Sequence, residues 1–226
     1  MAKAAKKPAK AKARAKSRPK SGPKSRARSG AGANTQVVDA AGALRAALLK
    51  LVETQGWRDL SLADIAAEAE MPIAEAHAIY PSKAAILVGL VRELDEEILG
   101  ALEAEPLDGS AKDRLFDLMM RRFDALNRHR GAYLALIREL PTTPIEFGCM
   151  TGQVRRSLGL MLETAGLSAS GLKGLLRVNG LMAIYASALR VWARDDSADL
   201  AKTMAELDKR LGQAERLSGM LHRRAA

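Results

Sequence analysis

At 226 residues the chain is long enough for one large or two small domains with a substantial core. Hydrophobic residues make up 48% but aromatic residues only 4%, so the core must be built from Leu, Ala, Ile, Val and Met, which suits packed helices and disfavours a sheet. The single cysteine, Cys149, excludes a disulfide framework within one chain and fits a reducing, cytoplasmic setting.

The formal net charge of +10 is unevenly placed. Residues 1–34 carry 12 Lys and Arg and no acidic residue, whereas the other 192 residues carry 24 basic and 26 acidic groups. Residues 1–34 are almost entirely Ala, Lys, Arg, Pro, Ser and Gly. With nothing to bury, this tail is expected to be disordered and to bind phosphates without regard to sequence. An anionic membrane surface would attract the same charges. The tail has no apolar stretch behind its charges, so it is not read as a secretory signal. No apolar run reaches the roughly 20 residues of a bilayer span, and no integral membrane segment is expected.

From Thr35 the pattern turns helical. Val37, Ala40, Leu44, Ala47, Leu48, Leu51 and Val52 recur at three and four, and Gly56 closes this first helix. Ser61 can cap a second helix over roughly 61–69, with Asp64 three residues on as an Asp variant of the capping box. Leu62, Ile65, Ala66 and Ala69 share its apolar face. A turn at Glu70-Met71-Pro72 leads into a third helix over roughly 72–79, with proline suited to its first turn. These two short helices make a helix-turn-helix, a unit able to set its second helix in a DNA major groove.

Pro81-Ser82 opens a long fourth helix with apolar positions Ile86, Leu87, Leu90, Val91, Leu94, Ile98 and Leu102. After the break at 106–110, Ser110 caps a fifth helix bearing Leu115, Leu118, Met119, Phe123 and Leu126. A short helix over 132–140 precedes a break at Pro141–Pro144. Phe147, Met150, Val154, Leu158, Met161, Leu162 and Ala165 mark the next helix, which ends at Gly166. Residues 171–194 are apolar on nearly all sides and so should be buried on more than one. After Asp195-Asp196-Ser197, a last helix carries Leu200, Met204, Leu207 and Leu211. The expectation is an all-α protein of about nine helices. Its domains would be a basic tail at 1–34, a three-helix unit at 35–83, a helical body at 84–217 and a C-terminal tail at 218–226.

The stretch L-R-A-A-L-L-K-L-V-E-T-Q-G-W-R-D-L-S-L-A-D-I-A-A-E-A at 44–69, followed by Y-P-S-K at 80–83, resembles the DNA-binding domain of TetR-type transcriptional regulators. The likeness covers about residues 36–100 by motif. It implies an N-terminal helix-turn-helix reader and a C-terminal helical domain that dimerises and holds a ligand. On that likeness DNA contacts fall to Ser61, Pro72, Ile73, Glu75, His77, Tyr80, Ser82 and Lys83. The chain departs from the family pattern at the reading helix, since residues 71–80 contain no Arg, Lys, Asn or Gln, the side chains that read base edges best.

The same resemblance implies a homodimer through 171–194 and 197–216, a palindromic operator, and a small apolar ligand. Leu94, Phe123, Met150, Met161 and Tyr185 are the ligand-contact candidates. A second likeness stands beside it. M-P-I-A-E-A-H-A-I-Y-P at 71–81 and residues 184–211 resemble TetR-fold lipid-binding proteins that assist ubiquinone biosynthesis, which hold an isoprenoid and do not bind DNA. Those proteins carry an extra amphipathic C-terminal helix, for which nine residues after Leu217 are too few.

Catalysis is not expected. The histidines, His77, His129 and His222, lie on separate segments, and none pairs with Cys149 at metal-ligand spacing. There is neither a glycine-rich phosphate loop nor a nucleophile elbow. No cofactor and no metal are expected. Cys149 reads as packing, as do Tyr185 and Trp192, which could also line a pocket or a dimer seam.

Overall fold

The computed structural model describes residues 29–225, with side-chain surroundings over 39–218. Two compact units are present, Met1–Gln36 and Val37–Ala226, and of the first only the opening turns of α1 are described. Residues 1–28 of the basic tail and the side chain of His222 lie outside the described residues.

All described elements are helical: α1 (Ser29–Gln55), α2 (Leu62–Glu68), α3 (Ile73–Ile79), α4 (Lys83–Gly100), α5 (Ala111–Asn127), α6 (Arg130–Glu139), α7 (Pro144–Thr164), α8 (Gly171–Trp192) and α9 (Ala201–Ala225). α1 starts six residues before the expected Thr35, there being no proline between Pro23 and Thr35 to stop it. α9 runs past residue 217 because its interior glycines, Gly212 and Gly219, cost only about 1 kcal/mol each and do not end a helix.

Local chemistry sets the boundaries. The Ser61 hydroxyl accepts the Asp64 N–H while the Asp64 carboxylate accepts the Ser61 N–H, a complete capping box. Ser110 and Asp113 repeat the device at α5. Gly56 ends α1 at φ 84°, a left-handed position that glycine occupies without strain. The α2–α3 turn uses Glu70 at φ 52°, where the Met71 N–H reaches back to the Ala66 carbonyl at 2.9 Å. Pro72 stands at the N-cap of α3, one residue before the first turn.

One apolar core threads the second unit. Leu44, Leu48, Val52, Trp57 and Ile65 pack the reader end, and Leu118, Met119, Phe123, Leu158 and Trp192 the body. Burying each such leucine contributes about 1.5–3 kcal/mol. α4 lies against α5 and α7, and α8 lies against α7 and α9. The expected burial of α8 on several sides is only partly met. Val178, Leu181, Tyr185, Ala188 and Trp192 are buried, but Leu172 is 73% and Leu176 64% exposed. Cys149, expected as packing, is exposed on α7.

Candidate nucleic-acid interface and ligand cavity

α3 is seven residues long and holds to the core through Ala76. Its outer face presents Ile73, Ala74, Glu75, His77 and Ala78 to solvent, with Pro72 exposed just before it. The face carries a carboxylate and an imidazole and no Lys or Arg.

The remaining interface candidates reach protein partners. Tyr80 accepts a hydrogen bond from Arg45 Nη1 at 2.7 Å, and Arg45 Nη2 pairs with Glu93 at 2.9 Å. The Tyr80 ring lies so close to Gly89 that a Cβ there would sit 2.5 Å from the phenolic oxygen. Ser82 caps α4 by accepting the Ala85 N–H at 3.2 Å. Lys83 Nζ donates to the Trp57 and Arg58 carbonyls at 3.1 and 3.2 Å and lies 4.5 Å from the centre of the Trp57 ring. Ser61 is engaged in its capping box. The segment Y-P-S-K thus clamps α1, the α1–α2 loop and α4 together.

That loop is also tied to the body. The Trp57 N–H donates to Glu139 Oε2 at 2.8 Å, and Arg58 Nε donates to Thr142 Oγ1 at 3.0 Å. The Trp57 bond, followed by Arg138, holds the Glu139 carboxyl below its ordinary pKa against the opposing effect of burial.

Glu139 ends α6, and α6 walls a cavity of about 320 Å³. Leu94, Leu136, Leu140, Phe147, Met150 and Leu189 supply much of its apolar lining. Of the ligand candidates, Leu94, Met150 and Tyr185 line it. Phe123 lies behind it, fully buried and stacked 5.7 Å from Tyr185 and 6.5 Å from Trp192, and Met161 is buried in the core. A second, more polar cleft of about 540 Å³ between α1, α4, α5 and α6 shares Leu94 and Tyr133 with the first. The two side chains therefore stand between the spaces.

Sequence reasoning missed the polar wall of the smaller cavity. Arg122 is only 1% exposed. Its Nη1 donates to Asp95 Oδ1 at 3.0 Å and to Ser157 Oγ at 2.8 Å, and its Nε reaches the Tyr185 hydroxyl at 3.4 Å. Ser157 in turn donates to Asp95. Burial lowers the Arg122 pKa, but Tyr185 and Asp95 more than offset it and leave the guanidinium charged. The missed signal was one charge on each of two apolar stripes: Asp95 beside Leu94 and Ile98, and Arg122 one turn after Leu118.

Among the described residues no cluster of His, Cys, Asp or Glu could hold a metal ion. None of the described helices is long and apolar enough to cross a membrane.

Comparison with known proteins agrees with this architecture. A TetR transcriptional regulator from Nitrosomonas europaea ATCC 19718 superposes with a TM-score of 0.61 at 22% identity, covering 77% of this chain and 97% of that one. A TetR transcriptional regulator from Rhodococcus sp. RHA1 gives a TM-score of 0.56 at 14% identity, covering 80% and 96%. At these identities the likeness establishes the fold. The model of the COQ9 family matches residues 177–218, most of α8 and the larger part of α9. No curated protein matches the chain.

Proposed function

We propose that this chain is a one-component transcriptional regulator of the TetR type. It binds palindromic DNA as a homodimer and changes its affinity when a small, largely apolar ligand enters the 320 Å³ cavity. The observation that carries this reading is the Glu139–Trp57 hydrogen bond, which joins a wall of the cavity to the entry of the helix-turn-helix. A ligand that seats better with the end of α6 in one position than in another would bias the α1–α2 loop, and through Lys83 the start of α4. Such a ligand shifts the equilibrium only by its differential affinity for the two arrangements.

With no cation on the exposed face of α3, sequence discrimination would rest on Ile73, Ala74, Glu75 and His77, through methyl contacts and acceptance from cytosine. Phosphate affinity would come chiefly from the 12 cations at 1–34. Selection of bound duplexes from a random pool, with the full chain and with a chain lacking residues 1–34, tests the reading. Both should enrich the same palindrome, the shorter chain more weakly and with a shallower salt dependence. Loss of all sequence preference in both would overturn it.

The COQ9 match over α8 and α9 favours a second reading, a lipid- or isoprenoid-binding accessory protein on the same fold that does not read DNA. It calls for a long lipid co-purifying with the chain and for no enriched palindrome.

A further inference from the structure

The polar groups around the smaller cavity are all of one kind. Two guanidiniums, Arg122 and Arg190, and two phenols, Tyr133 and Tyr185, line it among otherwise apolar side chains, with no carboxylate in the lining. Asp95 lies behind Arg122 and takes only its Nη1. Nη2 makes no hydrogen bond among the described residues, although the side chain is almost wholly buried. Arg190, on the exposed side of α8, has no ion pair or hydrogen bond there either. Burial raises the Tyr133 phenol well above its ordinary pKa, so it remains a neutral hydroxyl facing the same space.

Nη2 therefore keeps its donors free beside the cavity that Arg122 lines, and a wall rich in donors fits a ligand that accepts. Two cations against one buried carboxylate leave one positive charge unmatched. The apolar remainder of the wall takes a hydrocarbon body, and about 320 Å³ is at the small end for a ligand site. That size suits a short chain and leaves little room for a polyisoprenoid.

We infer that the cavity takes a compact amphiphilic monocarboxylate, its head group held by Arg122 Nη2 and Arg190 and its hydrocarbon body against Leu94, Leu136, Leu140 and Met150. Arg190 at the rim draws the anion in and then closes over it. Arg122, oriented by Asp95 and Ser157, fixes its depth. The identification rests on the effector-site reading of the same cavity and adds to it the chemistry of the effector.

Calorimetric titration of the full chain with sodium decanoate, decanol and decylammonium, each below its aggregation threshold and without DNA, is the test. Decanoate should bind about tenfold or more tighter than decanol, as expected for charge-assisted hydrogen bonds in a shielded site, and decylammonium should not bind. Arg190→Gln, on an exposed side chain whose loss does not threaten folding, should weaken decanoate about tenfold and leave decanol unchanged. Arg122 is left intact, since removing it would strand Asp95. Equal binding of decanol and decanoate, no binding of decanoate, or an unchanged decanoate affinity in Arg190→Gln would each overturn the inference. Because no DNA is present, failure to find an operator leaves this result standing, and failure here leaves the DNA selection standing.

Discussion

Arg122 carries a permanent charge at 1% exposure, and the chain can hold it there only because Asp95, Ser157 and Tyr185 converge on it. A buried ion pair adds little net stability over an apolar replacement, yet breaking it from one side leaves a desolvated charge. Asp95→Ala should therefore lower the unfolding free energy by about 3–5 kcal/mol in urea melts. The double variant Asp95→Leu with Arg122→Met should recover most of the loss. If the single variant costs no more than a surface substitution, the pair is not buried as described. The network was half legible. Both charges fall on helical stripes that otherwise read as core, which marks them as unusual. Their pairing joins residues 27 apart on different helices and depends on how α4 and α5 cross, which spacing along one helix does not encode. Tyr80, Ser82 and Lys83 show the opposite case. Their positions were legible from the motif, and Ser82 caps α4 locally through the Ala85 N–H, but the partners of Tyr80 and Lys83, Arg45 and the Trp57 loop, belong to the tertiary fold.

Helix boundaries were the most legible feature, because caps are local. The Ser61–Asp64 box forms as its spacing predicts, Ser110 caps α5 as expected with Asp113 completing a second box, and Gly56 and Gly166 take left-handed conformations at helix ends. The junction between α8 and α9 shows what was hidden. Asp195-Asp196-Ser197 read as a break, whereas Asp195 is 1% exposed and works as a four-donor hub. Its carboxylate accepts the Ser197 N–H and hydroxyl through Oδ1, and the Thr203 N–H and hydroxyl at 2.8 and 2.7 Å through Oδ2. Burial pushes its pKa up, but the Ser197 and Thr203 bonds outweigh burial and hold it far below the usual carboxylate range. The folded-state pKa is depressed, so the stabilisation is complete above the unfolded value of about 3.9 and is lost as pH falls from there toward the folded value. Asp195→Ala should cost about 1–3 kcal/mol at pH 7, the range for orphaning buried donors. Asp195→Asn should flatten the fall in stability between about pH 5 and pH 3, where the unfolded carboxyl titrates. Chemical denaturation at a series of pH values checks both, and parallel acid profiles for Asp195→Asn and the parent would remove Asp195 as the cause.

At the scale of the whole molecule, the feature to explain is the open face of α8. Leu172, Leu175 and Leu176 are 73%, 43% and 64% exposed, and the stripe continues through Gly180 and Ala183 toward the end of the helix. On α9, Met204 is 41% exposed. Large apolar side chains followed by small ones one turn apart allow another helix to approach closely, and an exposed apolar patch of this kind marks an association surface. A twofold pairing of α8 and α9 with their copies would place each Leu176 near the symmetry-related helix and cover the face that one chain leaves open. On that pairing the all-round apolar character of 171–194 would be a property of the pair, and would account for burial on several sides being only partly met within one chain. Leu176→Glu puts a charge on that surface without touching the internal core. It should convert a dimer to a monomer by analytical ultracentrifugation, with the helical content and the cavity's ligand affinity retained. DNA affinity for a palindrome should drop to that of a half-site, because two linked readers gain effective concentration that a lone reader lacks. A parent chain that sediments as a monomer would refute the pairing. A Leu176→Glu chain that remains dimeric would instead move the interface off the first turns of α8.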